Sequence, residues 1–318
     1  MRKHDFDDLA DAPVRRKAGK HRKPRFDDEP APERSGRLTE QEKVRLANLR
    51  DDAYTEREIP GGGDRWSTWA DGEQGPRPLP NWVITELAAV DTELGVLKSG
   101  KEADVHLVRR GLPDGPECLL AAKRYRSDEH RMFHRDAGYL EGRRMRRSRE
   151  MRAMQTRTSF GRNLIAEQWA VAEFATLSRL WSAGAPVPYP VQRSGTELLL
   201  EFLGDSDGNA APRLAQLRPD PDELRDLWHQ TVLAMEALAM HGLAHGDLSS
   251  YNVLVHDGQI MLIDLPQVVD IVSNPRGTEF LTRDVHNITG WFLARGLDPG
   301  SADVEELVAE LRKIAGLP

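Results

Sequence analysis

Asp247, Asn252 and Asp264 place three oxygen-donor side chains close together in the second half of the chain, with Asn252 five positions after Asp247. Magnesium takes hard oxygen ligands and keeps several waters, so an Asn and an Asp at the two ends of a hairpin suit such a cation. A separate Asp can accept the proton of an attacking hydroxyl. Far upstream, Lys123 can hold phosphates as a point charge. Together these groups fit phosphoryl transfer, in which a protein positions the reactants and neutralises charge. Each residue alone has an ordinary explanation: Asp247 as a turn residue, Asn252 as a cap, Asp264 as a strand terminator. Their joint spacing carries the argument.

The elements that must hold these groups can be read from the surrounding pattern. Residues 245–252 form a loop, and 253–255 and 260–263 form short strands around Asp257-Gly258, a hairpin turn signal. Upstream, 105–108 and 119–125 read as an antiparallel hairpin with Lys123 near its end. Ahead of it, Gly95 and Gly100, then Lys101, Glu102 and Ala103, give a small-residue turn whose N–H groups can approach a phosphate. The full G-x-G-x-x-G spacing is absent, so this turn alone is a weak signal.

Leu87, Val90, Leu94 and Leu97 suggest a short helix leading into a strand. Residues 163–180 read as a helix with Ala170, Phe174, Leu177 and Leu180 on its apolar face. Within it, Glu173 is a candidate partner for Lys123, with Glu167 as competitor. A strand over 198–202 precedes a polar linker, 204–211, taken as the lobe boundary. A helix capped by Asp222 follows, lined by Leu224, Leu227, Trp228 and Met235, and a last helix, capped by Ser301, is lined by Val304, Leu307, Val308 and Leu311.

Composition bounds the function. Of 318 residues, 39% are hydrophobic and 30% charged, and no apolar run has the length a bilayer requires. The charged N-terminus lacks a secretory signal, so a cytoplasmic address is expected. A net charge of −7 argues against wholesale nucleic-acid binding. Basic clusters at 15–25 and 143–152 leave room for a local RNA or acidic contact, although solvated charge is the plainer account. The lone Cys118 forms no internal disulfide and no structural zinc site. His130 and His134 stand four apart without a third ligand. Residues 1–80 read as a largely disordered charged tail, with a short helix at the capping box of Thr39 and Glu42, and order is expected from Asn81.

The stretches Ser99–Val105 (SGKEADV), Glu201–Gly204 (EFLG), His245–Asn252 (HGDLSSYN), Ile263–Gln267 (IDLPQ) and Arg283–Asn287 (RDVHN) resemble those of the RIO family of atypical protein kinases. The Leu-Ser-Ser-Tyr-Asn version leans toward the RIO1 branch. The resemblance runs over roughly residues 81–293. It implies an α+β, two-lobed protein-kinase-like fold: a small β-rich N-lobe (81–204, with an arginine-rich insertion) and a shortened helical C-lobe (205–318) lacking an activation loop.

It also implies ATP as substrate with Mg2+, or Mn2+ in its place. Ser99, Gly100, Lys101 and Glu102 would form the phosphate loop, Lys123 would contact phosphates and Glu173 would pair with it. Glu201 to Leu203 would supply the adenine-side hinge. Asp247 would be the catalytic aspartate, and Asn252 and Asp264 would hold the metal. Family activity is serine phosphorylation of a protein or of itself, or an ATPase cycle through a phosphorylated aspartate, for which Asp264 is the matching position. Eukaryotic and archaeal members act in small-ribosomal-subunit maturation, which implies ribosome or RNA contact. Two other classes share parts of the pattern: small-molecule kinases of the aminoglycoside or choline type, which would carry a larger region after Asp264, and a nucleotide-gated adaptor without catalysis.

Overall fold

The hairpin expected around Lys123 lies at the centre of a seven-stranded antiparallel sheet. A computed structural model gives the fold and describes residues 59, 62–126 and 159–318. The sheet strands are β1 (Arg65–Trp66), β2 (Glu73–Gln74), β3 (Val90–Ser99), β4 (Ala103–Gly111), β5 (Glu117–Tyr125), β6 (Pro190–Ser194) and β7 (Glu197–Glu201), in the order β1-β3-β4-β5-β7-β6-β2. One long helix, α1 (Ser159–Ser182), packs on this sheet. The two faces follow the two-residue strand period: Leu198 joins Phe174 and Ala170 of α1, while its neighbour Leu199 joins Val108, Leu120 and Trp69 on the other side.

Order begins earlier than Asn81. The segment before it runs from one sheet edge to the other, with Trp66 opposite Val90 and Gln74 opposite Gln192. Trp69 is buried between them. Arg65 binds Asp91 and Glu197, and the Gln192 amide donates to Thr68 Oγ1. Two-residue strands show no alternation, and a Gly/Pro-rich segment anchored by single aromatics and charge pairs has the composition of a tail. The basic run at 15–25, the Thr39–Glu42 capping box, His130, His134 and the arginines of 143–152 lie outside the described residues.

The helix expected from Leu87 to Leu97 is absent. Val90–Ser99 is a strand with register shifts at Glu93/Gly95 and Val96/Lys98. Such bulges break strict alternation, so apolar spacing there mimics a helical period. Leu87, Leu94 and Val96 are exposed.

The remaining core is built from α2 (Pro221–Met240), α3 (Gly277–Leu293) and α4 (Val304–Ile314), with the hairpin β9 (Val253–His256) and β10 (Gln259–Leu262), and is joined by Leu177 and Leu180 from the end of α1 and by Ala185 and Val187 after it. Asp257 and Gly258 both take positive φ in its turn. A second small pair joins β8 (Leu243–Ala244) to β11 (Val269–Asp270). The caps sit elsewhere than expected. Asp220, not Asp222, accepts the Asp222 and Glu223 N–H groups, and Pro221 takes the first helical position. Asp303, not Ser301, caps α4. No helix among the described residues is long and apolar enough to cross a membrane.

Candidate active site

Lys123 lies on β5 opposite Val105 of β4 and Leu198 of β7, so its side chain shares the sheet face that α1 covers. Its ammonium is 2.7 Å from Glu173 Oε1 and 2.8 Å from Asp264 Oδ1. Of the two acids that α1 offered, Glu173 is buried and makes this contact, while Glu167 is exposed. Glu173 is itself held by the Tyr125 hydroxyl and by the Leu265 N–H at 3.1 Å. One carboxylate thus links both halves of the fold. Burial works against the Lys123 charge, but Glu173 and Asp264 push its pKa above the ordinary value. Burial works to raise the Asp264 carboxyl, yet the Lys123 ammonium and its hydrogen bond, aided by Lys98 and His245, hold it at about 2.

Asp247 sits in the loop before β9. Both ends of that loop are tied to Ile263, the residue preceding Asp264: the Ile263 N–H donates to Asn252 O at 3.0 Å, and His245 Nε2 bonds Ile263 O at 3.1 Å. Asn252 Nδ2 donates to Asp247 O at 2.9 Å. Among the described residues, the Asp247 carboxylate and the Asn252 amide oxygen have no bonded partner, so both groups stand available. Gly246 takes φ +82, and a Cβ there would come within 2.2 Å of Gln267 O; only glycine fits beside Asp247. Asp264 also takes a positive φ, of 66°, an uncommon backbone for a non-glycine residue.

The other predicted residues are engaged differently. Ser99 to Glu102 make the tight β3–β4 turn, closed by Gly100 N–H to Ala103 O at 3.0 Å. Ser99 Oγ is tied to Asp104. At the end of β7, Glu201 accepts the Tyr189 N–H at 2.9 Å, so its side chain braces the backbone. Leu203 is buried, and its carbonyl accepts the Ala211 N–H.

Sequence reasoning missed two site residues. Lys98 on β3 reaches Asp264 Oδ2 at 3.7 Å; it adjoins the quoted Ser99–Val105 stretch, yet exposed lysines are too common to flag. Asp284 of α3 accepts the Gly246 and Leu248 N–H groups at 2.7 and 3.0 Å; it lies inside the quoted Arg283–Asn287 stretch, without a role. Neighbouring Arg283 bonds Gly246 O.

No cluster of three His, Cys, Asp or Glu among the described residues could hold a metal. Asn252 and Asp264 offer an amide oxygen and an ionised carboxylate, a sparse hard-oxygen set that suits a cation completing its shell with water and phosphate oxygens.

A profile of the RIO domain matches residues 121–307. The RIO-type serine/threonine-protein kinase Rio1 of Haloferax volcanii is 33% identical over 221 residues, covering 69% of each chain. The chain belongs to the RIO family. Its relatives include the serine/threonine-protein kinase RIO1 of Saccharomyces cerevisiae, 29% identical over 64% of this chain and 44% of that protein. RIO3 of Caenorhabditis elegans is 39% identical over 40% of this chain and 26% of its own length. The matches to the archaeal and yeast RIO1 proteins agree with the RIO1 branch suggested by the Leu248–Asn252 loop. They also make the sheet and the reduced helical half the two lobes of a kinase-like fold, in which residues 265–276 alone separate Asp264 from α3.

Proposed function

We propose that this RIO protein is an ATP-dependent serine/threonine protein kinase or ATPase, moving the γ-phosphoryl group to a protein hydroxyl or to its own aspartate. The observation that carries this reading is the Lys123 ammonium bonded to Glu173 and Asp264 together, with Asp247 tied to the same point through Ile263. Glu173 fixes Lys123 so that its charge faces the phosphates. Asp247 accepts the proton of the attacking hydroxyl, whose oxygen bonds to the γ-phosphorus as ADP leaves. Asn252 and Asp264 would hold Mg2+, which neutralises phosphate charge when bound. The Ser99–Glu102 turn would cover the phosphates, and the backbone from Glu201 to Leu203 would border the adenine.

The division into lobes at about residue 204 belongs to this proposal. It is supported by the Gly204–Ala210 bridge and by the sheet's own two clusters, although the larger core of 214–311 also takes in Leu177, Leu180, Ala185 and Val187 from before that boundary. The partners proposed are ATP and a protein substrate or the chain itself, with ribosome or RNA contact through the basic segments. A cytoplasmic setting accords with an ATP-using site. Incubating the purified protein with Mg2+ and ATP, while following ADP release and phosphate incorporation together, tests the reading. Formation of either product supports it, and absence of both with bound nucleotide would favour a nucleotide-gated adaptor.

A further inference from the structure

Asp264 is held by two lysines, one on each carboxylate oxygen. Lys123 takes Oδ1, and Lys98 stands 3.7 Å from Oδ2. Their placement follows from the sheet. Lys98 of β3 pairs with Val105 of β4, and Val105 pairs with Lys123 of β5. Residues directly opposite in antiparallel strands project from the same face, so Lys98 and Lys123 stand in one row, a single strand apart, and converge on one acid. The register shift between Val96 and Lys98 sets this alignment, because a one-residue slip reverses the face.

The two lysines differ in setting. Lys123 is buried and bound to Glu173, whereas the Lys98 side chain is 40% exposed and has no second acid among the described residues. Lys98 also immediately precedes the Ser99–Glu102 turn. Its long, flexible stem lets its ammonium leave Asp264 for another anion within reach.

The geometry points to Lys98 as a second phosphate-binding cation of this site, bound to Asp264 in the nucleotide-free protein and transferred to the outer phosphates of the nucleotide on binding. This inference rests on the phosphotransferase reading. It adds an exchange step in which a surface lysine shields the carboxylate and is drawn off it by a more highly charged ligand.

Binding of ATP, ADP and AMP to the full-length protein and to Lys98→Met and Lys98→Arg tests the assignment. Loss of a charge-assisted contact predicts ATP affinity at least about tenfold weaker in Lys98→Met, a smaller loss for ADP and none for AMP. Lys98→Arg, which keeps the charge, is expected to restore most of the ATP affinity. A structural role would weaken all three nucleotides alike or leave all unchanged, and either result overturns the assignment. Wild-type binding of ATP with no difference in Lys98→Met defeats this inference alone. If wild type binds no ATP, the phosphotransferase reading falls and this inference falls with it.

Discussion

Asp284 Oδ2 accepts the Gly246 N–H at 2.7 Å, so a helix of the C-lobe fixes the backbone that presents Asp247. Its other oxygen takes the Leu248 N–H, and the two bonds bracket Asp247. Asp284→Ala leaves two buried N–H groups unpaired, each costing about 1–3 kcal/mol. The expected result is a lower Tm, with kcat reduced at least about tenfold and the affinity for ATP little changed. An unaltered kcat in a folded variant would contradict this role.

Lys123 and Glu173 form a buried pair, and removing one partner of such a pair costs about 3–5 kcal/mol. Lys123→Met should therefore destabilise the protein strongly by strandeding the Glu173 charge. Adding Glu173→Gln should recover part of the stability without recovering activity. Denaturant unfolding of both single variants and the double variant measures the coupling.

Asp264 supplies a pH dependence whose sign is fixed by its depressed pKa. Burial opposes ionisation, but Lys123 outweighs it and holds the carboxyl near 2. An acid with a lowered folded-state pKa contributes stability above its ordinary value of about 4 and loses it as pH falls through its folded value. The stability difference between wild type and Asp264→Asn should therefore be constant above about pH 5 and change between about pH 4 and 2. Asp104, also held at about 2, by its hydrogen bonds from Arg126 and Ser99, titrates in the same window in both proteins and cancels in the comparison.

The segment from β1 to β2, a strap across the sheet ahead of β3, should be part of the folded unit. Trp69 packs with Val108, Leu120 and Tyr189, and Trp69→Ala should cost about 3–5 kcal/mol. Arg110 is fully buried, bonded twice to Asp91 and once to Gln192, and Arg110→Ala should cost a similar amount, because it leaves the buried Asp91 with only the 3.3 Å contact from Arg65 and empties the space the guanidinium filled. Neither residue touches the site, so ATP affinity of the folded fraction should be unchanged. Thermal unfolding and nucleotide titration on the same samples check both statements.

Legibility followed how local each signal was. The β4–β5 and β9–β10 hairpins showed in sequence because their turns carry Gly, Pro and Asp between apolar runs. Lys123, Glu173 and Asp264 are candidates on residue type and spacing alone, and the structure brings them into one bonded cluster. The strap was hidden because its order comes from pairing with distant strands, not from its own periodicity. Lys98 was hidden because strand register decides its face, and a bulge sets the register. Asp284 was hidden because its partners are backbone N–H groups, which no side-chain pattern reveals. The cap positions moved by two residues because neighbouring Asp and Ser residues are equivalent until helix phase is known.

The most direct measurement is transfer of label from γ-labelled ATP in Mg2+, comparing wild type with Asp247→Asn and Asp264→Asn, each verified as folded by its unfolding transition. The account predicts label on protein or released phosphate in wild type, and loss of at least about a hundredfold in each variant. Turnover in either variant at the wild-type rate would contradict it.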